Sequence, residues 1–320
     1  MPPFIDKGAM QQFNDPIDIQ RPLTVRLSDG VCIGAFESMA SPCEVLIDTT
    51  DLVLAEQLTT VAAREAWRIE QKYSRYREDG IIPRINHSQG QALEVDEETA
   101  ILLDFAYQCY DLSDGLFDIT SGVLRKVWRF DGSDKLPLQE DIDALKPMLG
   151  LDKAQWKTPF FSLPIGMEID FGGIGKEYAV DRTLKILSTL SDVAILINFG
   201  GDIAANKPPH NKPAWCVGVE DHSQSFQPEK PLQSNELVYI QSGGIATSGD
   251  AKRFLLKDGQ RYGHILNPQT AWPVVGAPHS ITVLANTCTE AGLLSTLAML
   301  QGAEAEAFLN DESVQFSIQR

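Results

Sequence analysis

An α+β fold is predicted by two features of the chain: helix-like and strand-like segments are mixed without the regular βαβ rhythm of a doubly wound sheet, and short apolar runs end repeatedly in glycines. A third, 320 residues of which 43% are hydrophobic, provides enough apolar surface for a sizeable core. Residues 1–22 are polar and proline-punctuated, which predicts an N-terminal arm; one globular unit follows over 23–320. Within 24–48, TVRLSDGVCIGAF and CEVLID read as extended runs parted by a turn at Ser28-Asp29-Gly30. Residues 52–72 have helical apolar spacing with no Gly or Pro. Asp96 reads as the N-cap of a second helix, EETAILLDFAYQCYDLS, with Gly115 beyond its end.

Shorter helical stretches are expected around 122–128 and 139–145. MEIDFGG and VAILINFGGDIAA read as strands running into glycines, with a helix over 176–190 between them. Residues 208–235, rich in Pro, Ser, Gln and Asn, read as a long loop interrupted by one strand at 215–219. Strands return at LVYIQ and in RFLLKDGQRYGHILN, a hairpin turning at Asp258-Gly259, and a last helix spans 291–301.

Composition excludes several function classes. A formal net charge of −17 is opposite to what a phosphate backbone or an anionic membrane surface attracts. The five cysteines, Cys32, Cys43, Cys109, Cys216 and Cys288, are scattered and form no CxxC pair, which argues against a disulfide framework or zinc knuckle. The first residues lack a basic stretch followed by an apolar one, and no run of apolar residues is long enough to span a bilayer, so a cytoplasmic protein without membrane insertion is expected.

Four glycine-bearing segments carry the chemistry, because glycine lets backbone N–H groups approach a phosphate. They are Asp170-Phe171-Gly172-Gly173-Ile174-Gly175-Lys176, Asn198-Phe199-Gly200-Gly201-Asp202, residues 242–250 and residues 114–122. The first is neither a Walker loop nor a dinucleotide fingerprint: Glu177 follows Lys176 where Ser or Thr is needed, and the glycines are mis-spaced. His87, His210, His222 and His279 lie in polar or proline-flanked stretches and read as surface residues, and the tryptophans, Trp128 and Trp272 included, as core or rim.

In this order and spacing the segments resemble the FAD:protein FMN transferase (ApbE) family over roughly residues 30–310. Met39-Ala40-Ser41 is similar to its Met-Gly-Thr/Ser start, and Tyr73-Ser74-Arg75-Tyr76 running to Ile85-Asn86 to its Ser-x-Tyr/Phe…Leu-Asn segment. Residues 116–122 resemble Gly-x-Phe-Asp-x-Thr-x-Gly, and residues 170–181 resemble Asp-Leu-Gly-Gly-Ile-Ala-Lys-Gly-Tyr-Ala-Val-Asp. Residues 198–203, 246–250 and 263–270 complete the set. The resemblance implies an ApbE-like fold with mixed and antiparallel sheets and a cleft between two halves that receives FAD. It also implies transfer of FMN from FAD to a threonine or serine of an acceptor flavoprotein, with Mg2+ bridging the phosphates. Carried over by position, Met39, Tyr76, Leu116, Phe117, Asp118, Asp170, Lys176 and Ile265 would line the FAD site, with Tyr76, Asp250 and His264 as catalytic candidates.

For the metal, the family's pattern supplies a glycine-segment carbonyl, here Gly173, and the Asp and Thr of an Ala-Asp-x-x-x-Thr helix. This chain reads Ala291-Gly292-Leu293-Leu294-Ser295-Thr296, so Thr296 is present and the carboxylate is replaced by Gly292. Three readings stay open: an ion held by the diphosphate, Thr296 and waters with help from Glu290 or Asp250; an FAD-binding protein of weak or no activity; or a changed reaction such as FAD hydrolysis to FMN and AMP. Gly292→Asp is expected to restore the carboxylate on the helical face of Thr296 without altering the backbone.

Overall fold

A computed structural model describes residues 21–220, 234–250 and 253–320. The expected N-terminal arm, apart from Arg21 and Pro22, and His222 lie outside the described residues. The centre is one eight-stranded antiparallel sheet in which each strand pairs with the next along the chain. Its strands are β1 Leu23–Ser28, β2 Val31–Ser38, β3 Ser41–Ile47, β4 Ile195–Phe199, β5 Asp202–Ala205, β6 Gly243–Gly249, β7 Ser280–Ala285 and β8 Gln315–Gln319. Local signals account for the tight turns. Asp29 and Gly30 both take positive φ between β1 and β2, and Asp258 and Gly259 do so in the Phe254–Lys257/Gln260–Gly263 hairpin.

The long connection from β3 to β4 carries helices α1 (Leu52–Tyr73), α2 (Glu97–Leu112) and α3 (Gly175–Leu190); α4 (Cys288–Leu300) follows β7. Asp51 caps α1 by accepting from the Val53 and Leu54 amides, and Asp96 caps α2 through the Thr99 amide, as the sequence predicts. The sheet's two faces are covered differently, following the period of two along a strand. Ile195, Ile197 and Phe199 join the large core under the helices, whereas Ala194 and Leu196 join a smaller cluster with Trp215 and Ile240 from the Trp215–Glu220/Ser234–Ile240 hairpin. A third cluster gathers Val123, Leu124, Trp128 and Ile142 against Leu255 and Ala271. There Trp272 packs edge-on against Trp128, with ring centroids 5.2 Å apart.

Two expected strands are corrected. MEIDFGG is extended but pairs with no strand: the Ile169 amide and carbonyl are taken by the Asn86 side chain and the Asp170 amide by the Ile119 carbonyl, so no ladder can form. VAILINFGGDIAA is two strands, because Gly200 and Gly201 at φ 62° and 99° reverse the chain between β4 and β5. The expected helical stretch at 122–128 is a 3-10 segment, Ile119–Lys126, begun by Asp118. All five cysteines are free. No helix among the described residues is long and apolar enough to cross a membrane.

Helices α1, α2 and α3 of the long connection are tied by a charge network. Arg68 on α1 bonds Glu65 at 2.7 Å and Glu98 on α2 at 2.6 Å; Lys72 reaches Glu98 at 2.6 Å; Arg182 on α3 reaches Glu65 at 2.5 Å. Burial alone would raise the Glu98 carboxyl, but hydrogen bonds and charge from Arg68 and Lys72 outweigh it and hold the group well below the usual carboxylate range. A depressed folded value stabilises above the ordinary carboxyl range and loses that contribution as pH falls below it. Glu98→Gln is therefore expected to lower stability at pH 7 by about 1–3 kcal/mol. Denaturant titrations should also show less loss between pH 7 and pH 3 than in the parent chain, and equal acid slopes would refute the assignment.

Candidate active site

The approach to α3 is held by residues from three distant segments. Asn86 clamps Ile169 from both sides, donating to its carbonyl at 3.1 Å and accepting from its amide at 2.8 Å. Gly122 lies against Asp170, so a Cβ there would sit 2.8 Å from that residue's own Cβ; no larger side chain fits. The Asp170 carboxylate accepts from Arg75 at 2.5 Å and from the Gly172 amide at 3.1 Å. Arg75 also donates to the Tyr76 hydroxyl at 2.9 Å, leaving the Tyr76 ring exposed to solvent. Phe117 is buried with its ring edge 3.4 Å from the position of a Cβ on Gly173, and Leu116 lies half-buried beside it.

Asp118 is 8% exposed and accepts from the Thr120 amide and hydroxyl and from the Gly150 amide. Burial raises its pKa, against those hydrogen bonds. Asp118 therefore organises the 3-10 turn as well as standing at a position assigned to FAD. Arg75, the partner of Asp170, was missed by sequence reasoning; its signal was a lone cation inside the Tyr73–Tyr76 segment.

The glycine segment feeds directly into α3, which passes beside α4. Lys176 pairs with the buried Asp202 at 2.8 Å and lies 3.5 Å from the Gly200 carbonyl. Gly200 in turn abuts Ser41, bringing the Met39-Ala40-Ser41 turn to the same place. Met39 and Ala40 occupy that turn at φ 52° and 55°, left-handed values costly for residues other than glycine. Nearly two turns into α3, Asp181 accepts from the Cys288 and Thr289 amides and the Thr289 hydroxyl at 2.6–2.8 Å, so α3 caps α4.

Glu177 projects between the two helices. It is 9% exposed, and its Oε2 is enclosed with no hydrogen-bond partner. Burial, and after it the charge on Asp202, pushes its carboxyl up to about 8. A Cβ at Gly292 would lie 2.6 Å from Glu177 Cγ and 3.0 Å from its Oε1. Gly292→Asp therefore cannot be accommodated without moving Glu177, contrary to the expectation from sequence. Thr296, one turn further along α4, shares a hydrogen bond of 3.1 Å with Ser248 on β6. Glu290 accepts from the Asn286 amide and caps its own helix start.

A second group forms at the end of β6. Asp250 is buried and pairs with Arg261 at 3.1 Å and His279 Nδ1 at 3.3 Å. His279, read from sequence as a surface residue, thus contacts a catalytic candidate, and Asp202 is a further site neighbour that sequence reasoning left unassigned. His264 stands edge-on to Phe130 with its Nδ1 enclosed and unpartnered, and Ile265 follows, half-buried against the core. The segment is held to the 114–122 loop by Gln269, whose side chain donates to the Asp114 carbonyl at 3.4 Å.

The segments brought together by these contacts match a single family model, described as the ApbE family, over residues 39–318. The chain belongs to the ApbE family. Relatives in it include the FAD:protein FMN transferase of Vibrio cholerae, 27% identical over 255 residues (78% of this chain, 75% of the relative), and that of Salmonella typhimurium, 27% identical over 296 residues (89% and 83%). Among solved structures, the ApbE protein from Thermotoga maritima superposes with a TM-score of 0.80 at 27% identity, covering 90% of this chain and 94% of that one. The flavin transferase ApbE from Vibrio cholerae, at 23% identity with 93% of each chain covered, gives 0.76 and shares the ApbE fold.

Burial lowers the His264 pKa to about 4, with the Arg253 charge adding to it. The imidazole is therefore expected to stay neutral throughout pH 5–8. An NMR titration of ring resonances should place the His264 midpoint well below the ordinary value of about 6.5. A midpoint near that ordinary value would show that the ring is solvated.

Proposed function

We propose that this chain is an FAD:protein FMN transferase. It cleaves the pyrophosphate of FAD, joins FMN through a phosphoester bond to a threonine or serine hydroxyl of an acceptor flavoprotein, and releases AMP. The observation that supports this most is the family match over residues 39–318, which contains every segment assigned to the site. Relatives named FAD:protein FMN transferase align with most of the chain.

In this reading the site residues divide the work. Asp118 and Asp170 accept hydrogen bonds from the adenosine half; Met39, Leu116, Phe117 and Ile265 supply apolar walls; Tyr76, exposed above Arg75, stacks on a ring. Lys176 neutralises phosphate charge, which requires it to share or leave Asp202. Asp250 and His264 are assigned to the deprotonation of the acceptor hydroxyl; His264 is neutral and its enclosed Nδ1 has no hydrogen-bond partner. Gly173 and Thr296 offer a carbonyl and a hydroxyl to a cation, and the enclosed, unpartnered Glu177 oxygen beside α4 is a hard donor of the kind Mg2+ accepts. When bound, Mg2+ would supply electrostatic stabilisation of the charge that develops on the departing AMP.

Purified chain should bind FAD more tightly than FMN by about tenfold or more, since the AMP half adds contacts worth at least ~1.4 kcal/mol. Calorimetry giving equal affinities would count against the site. With FAD, Mg2+ and a co-expressed flavoprotein bearing an accessible threonine or serine, AMP should appear together with flavin fluorescence on the acceptor after denaturation. AMP and free FMN without labelled acceptor would mean a pyrophosphatase, and FAD binding without AMP a flavin-binding protein.

A further inference from the structure

Helices α3 and α4 meet in a regular step. Asp181 on α3 caps α4 at Cys288 and Thr289. One turn back along α3 stands Glu177, and one turn on along α4 stands Gly292, and these two touch. Gly173, two residues before the start of α3, and Thr296, one turn beyond Gly292 on α4, are the two positions assigned to the cation.

The contact at Gly292 is steric as well as positional. At 2.6 Å from Glu177 Cγ, a Cβ at 292 would overlap atoms already in place, so a side chain at 292 and Glu177 in its present conformation compete for the same space. The family pattern has glycine after its lysine, where this chain has Glu177, and aspartate where this chain has Gly292. The two departures therefore meet in space: one position gains a carboxylate where the other has lost one. Packing alone does not account for Glu177, since a buried carboxylate oxygen without a partner is costly and an apolar side chain would fill the same gap. Its nearest cation in sequence, Lys176, is committed to Asp202.

We propose that Glu177 is this chain's metal-ligating carboxylate, delivered from the facing helix into the place left by position 292, and that Gly292 is the complement that admits it. The ion is a hard divalent cation of the Mg2+ class, shared with Gly173, Thr296 and a bound diphosphate. The assignment rests on the FMN transferase reading for the diphosphate and on the helix contact for the carboxylate.

The test uses Mn2+, observed by electron paramagnetic resonance, with the full chain saturated with FAD. Glu177→Gln keeps the volume and removes the charge, and should weaken Mn2+ binding by roughly 10- to 100-fold, the scale seen when support for a metal site is removed. FAD binding without metal should be unchanged. Glu177→Gly should lose Mn2+ equally, and Glu177→Gly combined with Gly292→Asp should recover most of it, whereas Gly292→Asp alone should lower the melting temperature because two side chains contend for one space. Wild-type Mn2+ affinity in Glu177→Gln, or no Mn2+ binding by the parent chain with FAD bound, overturns the proposal. Should the double variant not fold, Glu177→Gln decides alone. AMP release separates the two readings. Mn2+ held through Glu177 with no AMP released removes the transferase and leaves the metal site, whereas AMP release indifferent to Glu177→Gln removes the metal site and leaves the transferase.

Discussion

The capping of α4 by Asp181 is the interaction on which the site depends. In the central sheet each strand pairs with the next sheet strand along the chain, with the helices of the long connection intervening between β3 and β4. The helices are different: α3 leaves the glycine segment and α4 leaves β7, far apart in sequence, and a side-chain cap joins them. Three hydrogen bonds from the start of α4 converge on one carboxylate, satisfying donors that a helix N-terminus otherwise leaves open. Once that end is set, the helical repeat determines what faces what along the rest of the pair, including Glu177 against Gly292.

Around this pair the fold gathers several buried or half-buried carboxylates, and each group is handled differently. Glu98 is over-supplied with cations and stays ionised. Asp118 is satisfied by neutral donors, Asp202 is paired with Lys176, and Glu177 keeps an enclosed oxygen without a hydrogen-bond partner. Graded in this way, the network around Glu98 is structural, because nothing is left over, while Lys176, Asp202 and Glu177 retain unspent electrostatic capacity beside the glycine segment. Phosphate and a cation are the ligands that such a mixture of a lysine and free carboxylate oxygen can share.

Sequence reasoning was strongest where the determinant is local. Asp96 as a cap, Asp258-Gly259 as a turn and the long α1 stretch are encoded within a few residues, and the structure has them. MEIDFGG looked like a strand because its composition is strand-like; its backbone groups instead satisfy Asn86 and Ile119, partners that no window along the chain contains. The candidate site follows the same division. Asp118, Asp170 and Lys176 stand in contiguous motifs and could be named from them. Arg75 and His279 matter because of residues far away in sequence, Asp170 and Asp250 respectively, and carry no pattern of their own.

Gly292 shows how the reading of one motif position depends on what packs against it. Seen alone, it removes the carboxylate from the metal helix and points to a weakened site. Seen against Glu177, it is the residue that makes space for a carboxylate arriving from the other side. Such an exchange preserves the donor type a hard cation requires while changing both residues that encode it. It also couples them: either single reversion leaves the helix pair with two carboxylates in one volume or with none, and only the joint change keeps one.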